Sequence, residues 1–154
     1  MAKQTDLAQT DLAHIRINAA ADALFAFMAD PGRMDLWSFG TWHTEIAADG
    51  LVRGTSIFDG SEIYVRITPY PDQMVVDYLI GADPAALTRR IYARILPSTD
   101  ADGPAGMAEL HLVALRSDHM DDDHWEGLKA AHAFEVRLIK RLIESGFDHR
   151  QLPR

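Results

Sequence analysis

The chain contains no cysteine, which excludes disulfides, thiolate nucleophiles and zinc–thiolate sites. No segment approaches the roughly 18 apolar residues that a membrane-spanning helix requires, so no integral membrane association is expected. Residues 1–10 are polar and lack the apolar stretch of a secretory signal; the cytoplasm is the simplest compartment to expect. Basic residues are few, 15 against 23 acidic ones, for a formal net charge of −8. Arg89, Arg90 and Arg94 do not amount to the basic stripe that a nucleic-acid partner would demand. A Gly-x-Ser-x-Gly elbow, a phosphate-binding glycine loop and a dinucleotide fingerprint are all missing, and Ser56 and Ser61 stand in no nucleophile context. No cofactor is therefore expected. Any enzyme built on this chain would work by acid–base chemistry or by positioning.

What the chain does have is the composition of a folded domain. Its 154 residues are 47% hydrophobic and 25% charged, enough for one core without staples. A single domain is expected over residues 11–146, with 1–10 and 147–154 as flexible tails. The pattern predicts a strand over 11–18, with Ala13, Ile15 and Ile17 on one side. A helix over 21–29 closes at Asp30-Pro31-Gly32, and a short helix follows over 33–37. Strands are then predicted at 42–47, 52–58, 61–68, 74–80, 87–96 and 108–114. Asp59-Gly60 suits a two-residue hairpin turn that places Phe58 opposite Ser61 and Val52 opposite Ile67. Pro69 to Asp72 reads as a break. Parity along the strand at 87–96 turns Ile91, Ala93 and Ile95 inward, with Arg89 on their side and Arg90, Tyr92 and Arg94 outward.

From Asp121 to Gly146 the chain runs without proline at helical period. Trp125, Leu128, Ala131, Val136, Leu138, Ile139, Leu142 and Ile143 share one broad arc, opposite Lys129, Arg137, Lys140, Arg141 and Glu144. A hairpin-rich sheet with one apolar face must cover that face, and this helix has the length and the stripe to do so. The expected class is α+β: a curved antiparallel sheet of six to seven strands wrapped around a long C-terminal helix, with two short helices after the first strand.

The segment Ile15-Arg16-Ile17-Asn18-Ala19-Ala20-Ala21-Asp22-Ala23-Leu24-Phe25, then Asp30-Pro31-Gly32-Arg33-Met34 to Trp37, the strand order and the terminal helix together resemble the SRPBCC, or START-like, superfamily. That group includes helix-grip lipid-transfer domains and polyketide cyclase/aromatases. The resemblance covers roughly residues 11–146. It implies a deep apolar cavity between sheet and last helix, of the kind that members use for lipids, sterols, polyketides or aromatic compounds.

His132 and Glu135, at i and i+3, fall inside the apolar arc of the last helix. A carboxylate there must be paired, protonated or beside trapped water, since bare burial costs several kcal/mol. The pair could be a satisfied structural one, an anchor for a ligand's polar end, or a general acid and base with a raised carboxyl pKa. Trp37, Trp42, Phe58, Tyr78 and Trp125 are expected to point inward or to rim the cavity, as pocket lining or as plain core. Arg89 could meet Glu135 or a ligand carboxylate, or face solvent at its strand end. His119-Met120-Asp121-Asp122-Asp123-His124 scatters around a helix start, which capping and the helix dipole explain, and no metal is expected. The leading expectation is a binder of a small apolar or aromatic molecule, with its polar end near His132 and Glu135. A cyclase or aromatase-like enzyme using that pair is the second, and a protein-interaction module the third. An exposed edge strand leaves homodimer formation open.

Overall fold

The computed structural model describes residues 8–153. The chain opens with β1 (Thr10–Ile17), followed by α1 (Ala21–Ala29), a 3-10 turn at Pro31–Arg33 and α2 (Met34–Trp37). Six further strands follow: β2 (Trp42–Ile46), β3 (Val52–Thr55), β4 (Glu62–Tyr70), β5 (Val75–Gly81), β6 (Thr88–Pro97) and β7 (Ala108–Leu115). Helix α3 (Asp122–Ser145) and a 3-10 turn at His149–Gln151 end the described chain. All neighbouring strands pair antiparallel, in the order β1-β7-β6-β5-β4-β3-β2. The first strand therefore adds beside the last, and β1 and β2 form the two edges.

Alternation decides which face of this sheet is covered. Ala108, Leu110, Leu112 and Ala114 of β7 are fully buried, as are Ala93 and Ile95 of β6 and Ile17 of β1. Two helices share the work. Helix α1 packs across β4 to β7, burying Leu24 and Met28, while α3 packs against β1, β7 and α2. Both ends of α3 are capped as its sequence dictates. The Asp121 side chain accepts the His124 amide at 2.8 Å, and Gly146 takes the left-handed conformation at φ 68° that suits glycine at a helix end. Because α3 meets the sheet chiefly at one edge, a gap is left between it and the middle strands. That gap is the cavity described below.

Two local expectations fail for identifiable reasons. The hairpin between β3 and β4 pairs Val52 with Val65 and Gly54 with Ile63, two residues from the expected register. Its loop is longer than a two-residue turn: Ser56 N donates to Ser61 O, Gly60 N donates to Ser56 O, and Ile57 N is drawn to Phe39 O. An even shift keeps every strand side chain on its face, so Val52 and Val65 are still buried, but Phe58 leaves the strand for the loop and is exposed. Secondly, β4 runs on through Pro69, which pairs with Val76. Only β5 flanks β4 there, since β3 pairs no further along it than Val65, and proline's missing donor can face that open side. After α3, Arg150 donates to Gly32 O of the 3-10 turn at 2.8 Å and pairs with Asp35 of α2 at 3.1 Å. Residues 1–7 of the expected N-terminal tail lie outside the described residues.

Candidate functional site

Helix α3 carries His132 and Glu135 on its inner face, as the period of its apolar residues demands. They are 5% and 2% exposed. Glu135 is held by a backbone group far away in the chain: the Phe39 amide donates to its Oε1 at 2.9 Å. This bond fastens α3 to the segment joining α2 and β2. His132 Nε2 stands 3.8 Å from Glu135 Oε2, beyond hydrogen-bond range, and His132 Nδ1 is buried with no partner among the described residues.

Burial sets the charge of both groups. It pushes the Glu135 carboxyl up to about 7, against the opposing pull of the Phe39 amide. It pushes the His132 imidazole down to about 4. Near neutrality His132 is uncharged and Glu135 is divided between its two forms, so their proximity is not an ion pair. Desolvation dominates both shifts, as expected for groups in an apolar wall.

Both side chains line a cavity of about 570 Å³. Its deep walls are Met34 and Trp37 of α2, Ile63 of β4, Tyr78 and Ile80 of β5, and Ile91 of β6. Helix α3 closes it with Gly127, Leu128, Ala131, His132 and Glu135. Exposed Phe58 and Asp59 of the β3–β4 loop, Asp121 at the N-cap of α3, and Asp123, His124 and Glu126 within it form its mouth. Ser38, Thr41, Ser56 and Ser61 add hydroxyls. Among the described residues, no three His, Asp or Glu side chains converge as a metal site.

The arginines of β6 are reversed from their expected places. Tyr78 pairs with Ile91 but Leu79 pairs with Arg89, so β6 carries one extra residue at Arg90. A bulge of this kind breaks the alternation on which parity reasoning rests. Arg89 is turned to the outer face, where its Nε meets Asp77 at 2.8 Å with 62% of the side chain exposed. Arg90 lines the cavity instead, beside Ile91. Its side chain is half-buried, burial lowers its pKa with no charged neighbour contributing, and among the described residues it has no ion-pair partner. Two adjacent arginines at a strand end are the only trace of this in the sequence.

The aromatic candidates divide. Trp37 and Tyr78 lie in the cavity wall, edge to face with centroids 5.9 Å apart. The Tyr78 hydroxyl donates to Met28 O at 2.7 Å and so braces α1. Phe58 is at the mouth, where its ring faces Gly127 and tilts against His124. Trp42 is outside the cavity: it is half-exposed on the edge strand β2, packed on His43 with centroids 4.2 Å apart, and borders a smaller hollow of about 240 Å³ with Leu36, Phe39 and Ile57. Trp125 is outside it too, because it packs with Ala114 and Met120 in a separate small core. Both point away for the same reason: β2 and the first turn of α3 lie at the margins of the covered face. Met34, Thr41, Ile63 and Ile80 line the cavity and were not singled out in the sequence, where an apolar side chain at the right parity reads as core.

Comparison with known proteins places this geometry in a fold. No protein-family model matches the chain, and no curated protein sequence matches it. Solved structures do. The Zhui aromatase/cyclase from Streptomyces sp. R1128 superposes with a TM-score of 0.66 at 16% identity, over 94% of this chain and 99% of that one. The Aha1 dimer from Colwellia psychrerythraea gives 0.65 at 14%, over 91% and 99%. XoxI from Bacillus cereus gives 0.67 at 9%, over 90% and 99%. The chain thus shares its fold, a curved antiparallel sheet gripping a long C-terminal helix, with these structures. At these identities the likeness concerns the fold, and fold alone does not select a function. Among the described residues no helix is long and apolar enough to cross a membrane.

Proposed function

We propose that the chain binds a small hydrophobic or aromatic molecule in the cavity between α3 and strands β4 to β6. One observation carries this reading: a packed helix-on-sheet core would have no such gap, whereas here α3 stands off the middle strands over a space of about 570 Å³. That lies within the usual range for small-molecule sites, roughly 300–1,000 Å³. The deep walls are largely apolar and the polar groups gather mainly at the mouth, and burying a ligand's apolar surface supplies about 25 cal/mol per Å². The aromatase/cyclase fold of the Zhui structure accords with such a ligand.

The test is a titration with N-phenyl-1-naphthylamine, an uncharged probe whose fluorescence rises in apolar surroundings. Saturable binding by the native chain, lost in Ala131→Trp and weakened in the milder Leu128→Phe, is the expected result. Both positions line the cavity. Binding that survives both changes, in variants whose circular dichroism matches the parent, would defeat the proposal.

A second reading has its own support in Glu135, whose carboxyl near pH 7 suits proton transfer at an apolar cavity wall. On that reading Glu135→Gln keeps affinity for a poly-β-ketone substrate and abolishes its cyclisation. On the binding reading the same variant changes neither affinity nor any turnover. Self-association through the open edges of β1 and β2 is a further proposal, consistent with the Aha1 neighbour's being a dimer.

A further inference from the structure

A cavity that took only neutral apolar molecules would have no use for an unpaired guanidinium in its wall. Arg90 is such a group. The bulge in β6 turns it into the cavity next to Ile91, and it has no ion-pair partner among the described residues. Its neighbour Arg89 shows the alternative, since it sits outside and is paired with Asp77. Half-burying a guanidinium without a counter-charge is unfavourable. The chain carries a net charge of −8, yet none of the acidic side chains at the mouth forms a bridge to Arg90.

The other polar groups on the walls are poor alternatives as an anchor for charge. The Tyr78 hydroxyl is spent on Met28 O, and Glu135 Oε1 already accepts the Phe39 amide. The buried, uncharged imidazole of His132 offers no positive charge. Glu135 repels an anion once it is ionised and takes no ion pair when it is protonated. Among the described residues, Arg90 is the one arginine or lysine that lines the cavity.

Taking the cavity-binding reading as given, we infer that Arg90 is the anchor for an acidic head group, so that the ligand is an amphipathic monoanion: an aromatic or aliphatic body bearing one carboxylate or similar acidic oxygen group. A guanidinium receives such a group through two parallel N–H donors, a geometry that adds specificity to charge. The head group lies on the sheet wall at β6, and the apolar body extends between Trp37, Ile63, Ile80 and Leu128. The ligand's polar end is thus assigned to the strand side of the cavity rather than to His132 and Glu135.

The test uses two probes that differ by a single acidic group, 8-anilino-1-naphthalenesulfonate and N-phenyl-1-naphthylamine. Each is titrated at pH 8 into the native chain, Arg90→Gln, Arg90→Lys and Ala131→Trp. Arg90→Gln is expected to weaken the anionic probe roughly 10- to 100-fold, the range of a charge-assisted hydrogen-bonded contact, and to leave the neutral probe unchanged. Arg90→Lys is expected to recover part of that loss, and Ala131→Trp to exclude both probes. If the anionic probe changes by less than about threefold in Arg90→Gln, or if both probes weaken equally, the anchor is overturned while the cavity reading stands. If neither probe binds, or Ala131→Trp leaves both unaffected, the cavity reading fails and the anchor with it.

Discussion

The Phe39 amide donates to the Glu135 carboxylate at 2.9 Å across 96 residues of sequence. This bond, with the stacking of Phe39 on Phe134, fixes the α2–β2 segment against α3, and with it Ser38, Gly40 and Thr41 of the cavity wall. It is also the only hydrogen bond that the Glu135 carboxyl makes among the described residues.

The carboxyl of Glu135 is raised from 4.5 to about 7 in the folded chain, so the native state holds its proton where the unfolded state has lost it. Stability from this group is full below pH 4.5 and falls as pH rises through 7. Glu135→Gln keeps an acceptor for Phe39 and removes the titration. Denaturant melts should show the variant gaining on its parent between pH 5 and pH 8, by about 3 kcal/mol at most. A difference that does not change with pH would refute the assignment of a buried, proton-holding carboxyl.

His132 has the opposite sign. Its imidazole is lowered from 6.5 to about 4, so the unfolded chain takes up a proton that the native chain refuses. Stability is lost as pH falls from 6.5 towards 4. His132→Asn should therefore gain on the parent as pH drops through that window. Between about pH 4.5 and 6.5 the two groups oppose each other, and the double variant should differ little in slope from the parent. Parallel melts of the three variants check this. A variant lacking His132 that loses ground on acidification would contradict it.

Much of this site was legible in the sequence. A 3.6-residue period places His132 and Glu135 on the buried arc of α3 whatever the rest of the fold does, and the strand order with one long helix forces the α+β class. What could not be read are events that break a period. The extra residue at Arg90 reverses both arginines, and the loop from Ile57 to Gly60 moves Phe58 from a strand to the cavity mouth. Neither change alters composition or hydrophobic pattern. Trp42 and Trp125 miss the cavity for another reason: the pattern names the apolar side of an element, but not that Trp42 lies half-exposed on an edge strand or that Trp125 packs into a separate small core.

Tyr78→Phe tests the brace between β5 and α1. The phenol donates to Met28 O at 2.7 Å in a fully buried setting, so its removal strands a carbonyl and should destabilise the fold by about 1–3 kcal/mol. Binding of the neutral probe should not change, because the hydroxyl points at α1. Urea midpoints alongside a probe titration measure the two effects. A loss of affinity with unchanged stability would mean that the hydroxyl serves the ligand.

Two glycines separate tight backbone from yielding side chain. A Cβ at Gly54 would lie 2.8 Å from Thr41 Cγ2 and 2.9 Å from Trp42 O, and that carbonyl cannot move without shifting β2. Gly54→Ala should destabilise by roughly 1–3 kcal/mol. At Gly127, inside α3, the nearest atom is Phe58 Cε1 at 3.1 Å, the edge of an exposed ring that can swing away. Gly127→Ala should stabilise by up to about 1 kcal/mol through helix propensity. Thermal melts give both signs, and a destabilised Gly127→Ala would show that Phe58 is held in place at the mouth.

The most direct test of the cavity is a methyl-resolved NMR titration of the isoleucine-labelled chain with N-phenyl-1-naphthylamine. Ile63, Ile80 and Ile91 line the cavity, Ile57 borders the smaller hollow by Trp42, and Ile46 is exposed on β2. The δ-methyl signals of Ile63, Ile80 and Ile91 should shift together and saturate, with those of Ile57 and Ile46 unmoved. Shifts confined to Ile57 and Ile46, or none at saturating probe, would contradict a ligand seated between α3 and the sheet.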